Sequence, residues 1–145
     1  MVYLIGTDHS FQYLGKQCDE HGIKLIMAFS TYLEEAAKRI NACLIAEEFS
    51  MEALQINNVI ASTAQKVAQK LNIAHVFCDP TSIERKRLGI ERNDFALREQ
   101  YWLKQIHGYL HDDIIFVCGN SHIPSFCALL HEDGIKTITD TWLDS

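Results

Sequence analysis

Two Gly-x-x-His motifs lie near the two ends of the chain, and each follows a short apolar run. They occupy residues 6–9 and residues 119–122, and they place His9 and His122 directly after those runs. Short apolar runs predict buried strands, so each imidazole is expected where a strand ends. Imidazole is a general acid or base near neutral pH and a common ligand of transition metals. The motifs therefore indicate acid–base chemistry or a metal site.

Carboxylates follow two further apolar runs. Glu47 and Glu48 come after residues 42–46, and Asp79 comes after residues 74–78. Because side chains alternate along a strand, only one of the two glutamates can face a site if the strand continues. Histidine and carboxylate side chains together suit Mn, Fe, Co or Zn, and equally suit metal-free acid–base work.

The apolar runs and the segments between them predict how these side chains are positioned. Five strands are expected, at residues 2–6, 42–46, 74–78, 114–118 and 136–139. Strands that alternate with helices indicate βαβ units, so we expect one α/β domain over residues 1–145 with a mostly parallel sheet of four or five strands. Ligands bind beyond the carboxyl ends of parallel strands. The polar residues that follow the strands should therefore meet at one edge.

Capping signals and apolar stripes predict the helices. Capping-box spacing starts a helix at Thr31, Ser50 caps a single helix over residues 51–71, and Asp94 caps a helix to about Tyr109. Pro124 starts the helix that follows the second histidine motif.

Two segments are less regular. Residues 10–23 are expected to be a loop with a short helix that covers the site. Residues 81–93 are rich in arginine and lysine, and are interpreted as a loop or one short helix, either solvated or forming a basic lip for an anionic substrate.

The amino-acid composition limits the classes of partner and the cellular compartment that we expect. The chain has 145 residues and a net charge of −6, which argues against a general nucleic-acid binder. The apolar runs are too short to cross a bilayer, and no signal peptide is evident. Five cysteines without a C-x-x-C pair suit reduced thiols in a cytoplasmic protein. The oligomeric state stays open, and a homo-oligomer is compatible with the sequence.

Several motifs are similar in type and order to those of the TraB/GumN/Tiki family, whose wider superfamily includes ChaN-like haem-binding proteins and erythromycin esterases. The motifs are Leu-Ile-Gly-Thr-Asp-His-Ser at residues 4–10, Ala-Glu-Glu-Phe at residues 46–49, Arg-Glu-Gln-Tyr-Trp-Leu at residues 98–103, and Val-Cys-Gly-Asn-Ser-His-Ile-Pro at residues 117–124. Family members are usually longer, with a helical insertion for which this chain has little room.

The resemblance implies an α/β core in which both histidines and a glutamate converge. Some members bind a divalent metal and hydrolyse peptides, and others are esterases that act without metal. By this resemblance Glu47 is favoured over Glu48 as the site carboxylate, and His9, Glu47 and His122 form the expected metal set. Arg98 opens the motif on the third predicted helix.

We therefore predict a hydrolase for a peptide or ester bond in a peptide or small-molecule substrate, with or without a divalent metal. His9, His122 and one glutamate would activate water. Arg98 would bind a substrate carboxylate or the oxyanion, because guanidinium offers a rigid fork of donors. Asp79 would orient a histidine. The alternative is a non-catalytic domain that binds haem, a metal or another small ligand, or a regulatory domain.

Overall fold

Five parallel strands form one sheet in the computed structural model, which describes residues 1–15 and 18–143. The order across the sheet is β3-β2-β4-β1-β5, and every pairing is parallel. The predicted α/β class with a mostly parallel sheet is therefore confirmed. The strands are β1 (Val2–Thr7), β2 (Leu44–Glu47), β3 (Ala74–Phe77), β4 (Ile114–Gly119) and β5 (Thr137–Trp142).

Helices cover both faces of the sheet. One face packs against α1 and α3 through residues such as Phe29, Leu33 and Val67, and the other packs against α5 and α6 through Trp102 and Phe126. Among the described residues, no helix combines the length and apolar character needed to cross a bilayer. The helices are α1 (Glu20–Ile40), α2 (Met51–Ile56), α3 (Thr63–Leu71), α4 (Ser82–Leu88), α5 (Phe95–Ile106) and α6 (Ile123–Glu132).

Strand register brings the carboxyl ends of the three central strands to one level. Thr7 at the end of β1 pairs with Gly119 at the end of β4. Glu47 at the end of β2 pairs with Val117, two positions before that glycine. The residues that follow β1, β2 and β4 therefore emerge next to one another, as parallel topology predicts.

The first long helix starts earlier than its capping-box signal predicts. Asp19 caps it by accepting a hydrogen bond from the Gly22 N–H at 2.7 Å, so α1 begins at Glu20. Thr31, the predicted cap, lies inside the helix and donates its hydroxyl to the Met27 carbonyl at 3.1 Å. Within the predicted covering loop at 10–23, residues 16–17 lie outside the described part of the chain.

The single helix predicted over residues 51–71 is two helices. Asn58 adopts a left-handed conformation with φ of 54°, which a right-handed helix cannot continue. Ser62 then caps α3 by accepting a hydrogen bond from the Gln65 N–H at 3.0 Å. Ile60 fits the apolar spacing of the predicted helix, but it lies in the connection between α2 and α3 and is 96% exposed.

The charged segment 81–93 contains a helix, which was one of its two interpretations. Thr81 and Glu84 form a capping box at the start of α4, and Gly89 ends the helix with φ of 69°. The last strand extends beyond its predicted end at residue 139, to Trp142.

Candidate functional site

Three connections at the carboxyl edge carry the motif residues. His9 begins a 3₁₀ turn that Asp8 caps by accepting a hydrogen bond from the Ser10 N–H at 2.9 Å. Glu48 follows β2, and its N–H donates to the Val117 carbonyl at 2.8 Å. His122 ends the 3₁₀ turn that follows β4. Both histidines therefore lie where the sequence places them, at strand ends.

Glu48 is the carboxylate between the two histidines. Its Oε1 accepts a hydrogen bond from the Gly119 N–H at 2.8 Å and lies 3.6 Å from His9 Nε2. Its Oε2 lies 3.4 Å from His122 Nε2 and accepts a hydrogen bond from Arg98 Nη2 at 2.5 Å. Glu48 is 4% exposed. We call these five residues the Glu48 cluster.

Glu47 turns to the opposite face of the sheet. Its Oε2 accepts a hydrogen bond from the Ser62 hydroxyl at 2.5 Å and lies 2.6 Å from His75 Nε2. Its Oε1 accepts a hydrogen bond from Gln12 Nε2 at 3.3 Å. We call these four residues the Glu47 cluster. The structure thus places Glu48 between the histidines, and not the favoured Glu47 of the predicted metal set.

The glycines of both motifs are required by close contacts. A Cβ atom at Gly119 would lie 2.8 Å from His9 Nε2 and 3.3 Å from Glu48 Oε1. A Cβ atom at Gly6 would lie 2.6 Å from Ile123 Cγ1. Distances below about 3 Å are not available to a carbon atom without movement of its neighbour. The Gly-x-x-His spacing therefore has a packing reason as well as a chemical one.

His122 is an enclosed imidazole held by two carboxylates. Its Nδ1 lies 3.0 Å from Glu99 Oε1 and its Nε2 faces Glu48, while its ring stacks on Phe95 at 3.8 Å between centroids. Burial lowers the pKa of His122, but the hydrogen bonds to Glu48 and Glu99 outweigh burial and raise it to about 9. The ring is therefore cationic at neutral pH.

The charges around Glu48 keep it ionised. Burial raises the pKa of Glu48, but the hydrogen bond to His122, the charge of His9 and the Gly119 N–H together hold it below the ordinary value. A buried carboxylate is stable when it is paired and hydrogen-bonded in this way.

His9 is the solvent-facing member of the cluster. Its side chain is 55% exposed, against 2% for that of His122. Its Nδ1 lies 2.6 Å from Gln12 Oε1. An exposed imidazole that contacts a buried carboxylate can exchange a proton with a bound molecule, which an enclosed imidazole cannot do.

Arg98 holds carboxylates together. Its Nε and Nη2 donate to Asp79 Oδ1 at 3.1 and 3.0 Å, and its Nη1 donates to the Arg92 carbonyl at 3.1 Å. Trp102 Nε1 also donates to Asp79 Oδ1, at 3.0 Å. Burial lowers the pKa of Arg98, but the charges and hydrogen bonds of Asp79 and Glu48 raise it by more, so the net shift is upward. Among the described contacts, Asp79 therefore orients Arg98, whereas the sequence suggested that it would orient a histidine.

Two arginines of the predicted basic lip line a small hollow of about 130 Å³ beside Asp79. Arg85 and Arg92 share it with Glu52, whose carboxylate accepts hydrogen bonds from the Ser82 N–H and hydroxyl at the start of α4. The lip therefore has an internal carboxylate, which reduces its attraction for an anion.

Four polar residues that belong to the two clusters or contact them were not predicted, namely Gln12, Ser62, His75 and Glu99. Glu99 is 2% exposed and accepts hydrogen bonds from the Ser125 hydroxyl and from His122. It shares the apolar stripe of α5 with Trp102 and Ile106, so a charged residue at an apolar position was the available signal. Gln12, which links the two clusters, gave no such signal.

The fit of a divalent metal can be tested on the Glu48 cluster. Both oxygens of Glu48 already accept hydrogen bonds, one from Gly119 and one from Arg98. Within residues 1–15 and 18–143, no group of three or more His, Cys, Asp or Glu side chains could hold a metal ion. The Glu48 oxygens are thus engaged by donors and do not fit a metal in this arrangement, and the metal stays a prediction of the sequence.

Comparison of the chain with protein families, with curated proteins and with solved structures finds no match. The resemblance to the TraB/GumN/Tiki family therefore remains a prediction.

Proposed function

We propose that this protein is a hydrolase for ester or peptide bonds in which His9 activates water and Glu48 stabilises the charged imidazole. One observation carries the proposal. An exposed histidine lies 3.6 Å from a buried, ionised carboxylate at the carboxyl edge of a parallel sheet, where ligands bind in this architecture.

The reaction requires one base that becomes one acid. As the water oxygen bonds to the substrate carbonyl carbon, His9 takes a proton from that water. The resulting imidazolium then gives the proton to the leaving oxygen or nitrogen as the carbon–oxygen or carbon–nitrogen bond breaks. Glu48 stabilises the imidazolium by its negative charge, 3.6 Å from Nε2. General acid–base catalysis of this kind contributes about 10²- to 10⁴-fold.

The remaining residues of the cluster hold the carboxylate in place. Arg98, His122 and the Gly119 N–H all contact Glu48, so its two oxygens are fixed before any substrate arrives. A fixed carboxylate needs no reorganisation when charge develops on its neighbour. Arg98 is thus supported as a positioning residue, and its predicted contact with substrate remains a proposal that its four donor contacts do not favour.

The test is an activity screen with matched variants. Purified protein is assayed on chromogenic esters and fluorogenic peptides, with chelator in one series and with added Mn²⁺ or Zn²⁺ in another. His9→Ala should lower kcat by about 10²- to 10⁴-fold on any substrate that turns over. His111→Ala is the control, because His111 is an exposed histidine next to the amino end of β4. Absence of turnover in every series, or equal activity of His9→Ala, contradicts the proposal.

The same preparation tests the binding alternative. Titration with haem, Mn²⁺ and Zn²⁺ is followed by absorbance and calorimetry, with His9→Ala as the variant. Stoichiometric binding that His9→Ala abolishes, in a protein without turnover, would assign a binding role to this edge. Turnover that requires added metal would replace the metal-free step with a metal-assisted one.

A further inference from the structure

We infer that Gln12 is a positioning residue that places the proton of neutral His9 on Nδ1 and leaves Nε2 as the base. The inference rests on the proposed function for its catalytic meaning, but its geometry does not depend on activity. Gln12 is 1% exposed, and its side chain connects the Glu47 cluster to the Glu48 cluster.

The first step is the orientation of the Gln12 amide. Gln12 Nε2 lies 3.3 Å from Glu47 Oε1 and 3.3 Å from the Glu48 backbone carbonyl oxygen. A backbone carbonyl only accepts hydrogen bonds, so the amide NH₂ has to occupy this position. A flipped amide would place its oxygen against two acceptors and leave both without a donor. The amide oxygen therefore faces His9.

The second step is the proton on the imidazole. Gln12 Oε1 is an acceptor only, and it lies 2.6 Å from His9 Nδ1. His9 Nδ1 therefore carries a hydrogen and donates it. In a neutral ring one nitrogen donates and the other accepts, so Nε2 has the lone pair. This Nε2 is the atom that lies 3.6 Å from Glu48 Oε1.

The assignment matters because Glu48 alone would favour the opposite tautomer. Glu48 Oε1 is an acceptor 3.6 Å from His9 Nε2. Without Gln12, a neutral ring would therefore be more stable with its hydrogen on Nε2, facing Glu48. That tautomer has no lone pair beside the carboxylate and cannot take a proton there. Gln12 opposes it, so the nitrogen next to Glu48 stays available as the base.

Gln12 is itself held from the other face of the sheet. Ser62 and His75 contact the Glu47 carboxylate, which accepts from the Gln12 amide. The Thr63 N–H donates to the Gln12 carbonyl at 2.8 Å. The position of the base in the Glu48 cluster thus depends on contacts of the Glu47 cluster, and this gives the second buried glutamate a role in the site.

The experiment is a long-range ¹H–¹⁵N NMR spectrum of the histidine rings at alkaline pH, where neutral tautomers are distinguished by their nitrogen shifts. Wild type should show His9 with hydrogen on Nδ1. Gln12→Leu, which removes the acceptor for Nδ1–H, should move the population toward hydrogen on Nε2. Gln55→Leu is the control, because Gln55 is exposed on α2. His111 serves as an internal reference in every spectrum.

The outcomes decide the inference without any substrate. A wild-type His9 with hydrogen on Nε2 overturns it, even if Gln12→Leu fails to fold. An unchanged tautomer in a folded Gln12→Leu also overturns it. If the hydrolase proposal holds, Gln12→Leu should in addition lower kcat by about 10²-fold or more at unchanged KM, as a wrong tautomer does. The NMR result stands if no hydrolysis is found, so failure of one proposal is distinguishable from failure of the other.

Discussion

Glu47 and Glu48 are consecutive, almost equally buried, and surrounded by different chemistry. Glu47 is 0% exposed and Glu48 is 4% exposed. Glu48 faces a guanidinium, a cationic imidazole and a backbone N–H. Glu47 faces a hydroxyl, an amide and His75. The alternation of side chains sends the two carboxylates to opposite faces, where Arg98 of α5 contacts Glu48 and Ser62, the cap of α3, contacts Glu47.

Burial alone does not define a catalytic carboxylate. A buried carboxylate has to be compensated, either by fixed charge or by neutral donors. Fixed positive charge holds Glu48 ionised beside the exposed His9. Glu48 is therefore suited to stabilise positive charge that develops on His9. Glu47 contacts a hydroxyl, an amide and His75, and has a supporting role toward Gln12.

Removal of the Glu48 charge should have the largest effect on stability. Glu48→Gln leaves Arg98 and His122 with a neutral amide in an enclosed site, and breaking a buried ion pair in this way costs about 3–5 kcal/mol. The measurement is the free energy of unfolding in urea. Glu35→Gln, at an exposed position on α1, is the control and should change it by less than about 0.5 kcal/mol. A cost below about 1 kcal/mol would mean that the charges of the cluster are not coupled.

The next prediction is the pH dependence that His122 confers. The pKa of His122 is raised from 6.5 to about 9 in the folded protein. Its contribution is therefore fully present below pH 6.5 and is lost as pH rises to about 9. One pKa unit corresponds to about 1.4 kcal/mol, so the free energy of unfolding should fall by at most about 3.5 kcal/mol over this range.

A variant separates this contribution from other titrations. Glu48, Glu99 and Arg98 are the charged groups that face His122. His122→Asn should flatten the fall in stability between pH 6.5 and 9, measured by urea unfolding at each pH. Parallel curves for the variant and wild type would show that His122 does not carry the effect.

A smaller effect is expected from the same change on the other face. Glu47→Gln keeps the shape of the side chain but turns an NH₂ group toward donors that need an acceptor. The unmade hydrogen bonds should cost about 1–3 kcal/mol in the free energy of unfolding. Comparison with Glu48→Gln is direct, since the substitution is identical. If Glu47→Gln costs more than Glu48→Gln, the proposed contrast between the two carboxylates fails.

The sequence predicted the edge of the sheet but not the partners within it. Short apolar runs ending in Gly-x-x-His placed His9 and His122 correctly at strand ends. The hydrophobic period and the length of such a run can be read from neighbouring residues alone. Which of Glu47 and Glu48 faces the histidines is not determined by the neighbouring sequence. It depends on the N–H of Glu48, which continues the ladder by donating to Val117 on β4. The sequence of β2 does not indicate where the neighbouring strand β4 ends.

The helices show the same limit. Asn58 ends the apolar stripe of residues 51–71 by a left-handed turn, and the stripe itself gave no sign of the break. The buried Glu99 on α5 gave a readable signal, because charge at an apolar position needs a partner. That partner, His122, lies on a different element, so only the fold identifies it.

The smallest effect should come from Ser62, which has two functions in the Glu47 cluster. Its hydroxyl donates to Glu47 Oε2 and also accepts from the Gln65 N–H as the cap of α3. Ser50 caps α2 by accepting from the Ala53 N–H at 3.1 Å. Ser50→Ala should therefore cost about 1 kcal/mol for the lost cap. Ser62→Ala should cost about 1 kcal/mol more, for the lost hydrogen bond to the carboxylate.

The difference between these two serine variants isolates the hydrogen bond to Glu47. It is measured by urea unfolding of both, and repeated in the Glu47→Gln background, where the two costs should become nearly equal because the carboxylate is gone. An undiminished difference in that background would mean that the extra cost of Ser62→Ala comes from packing. In that case His75, and not Ser62, holds the Glu47 carboxylate that accepts from the Gln12 amide.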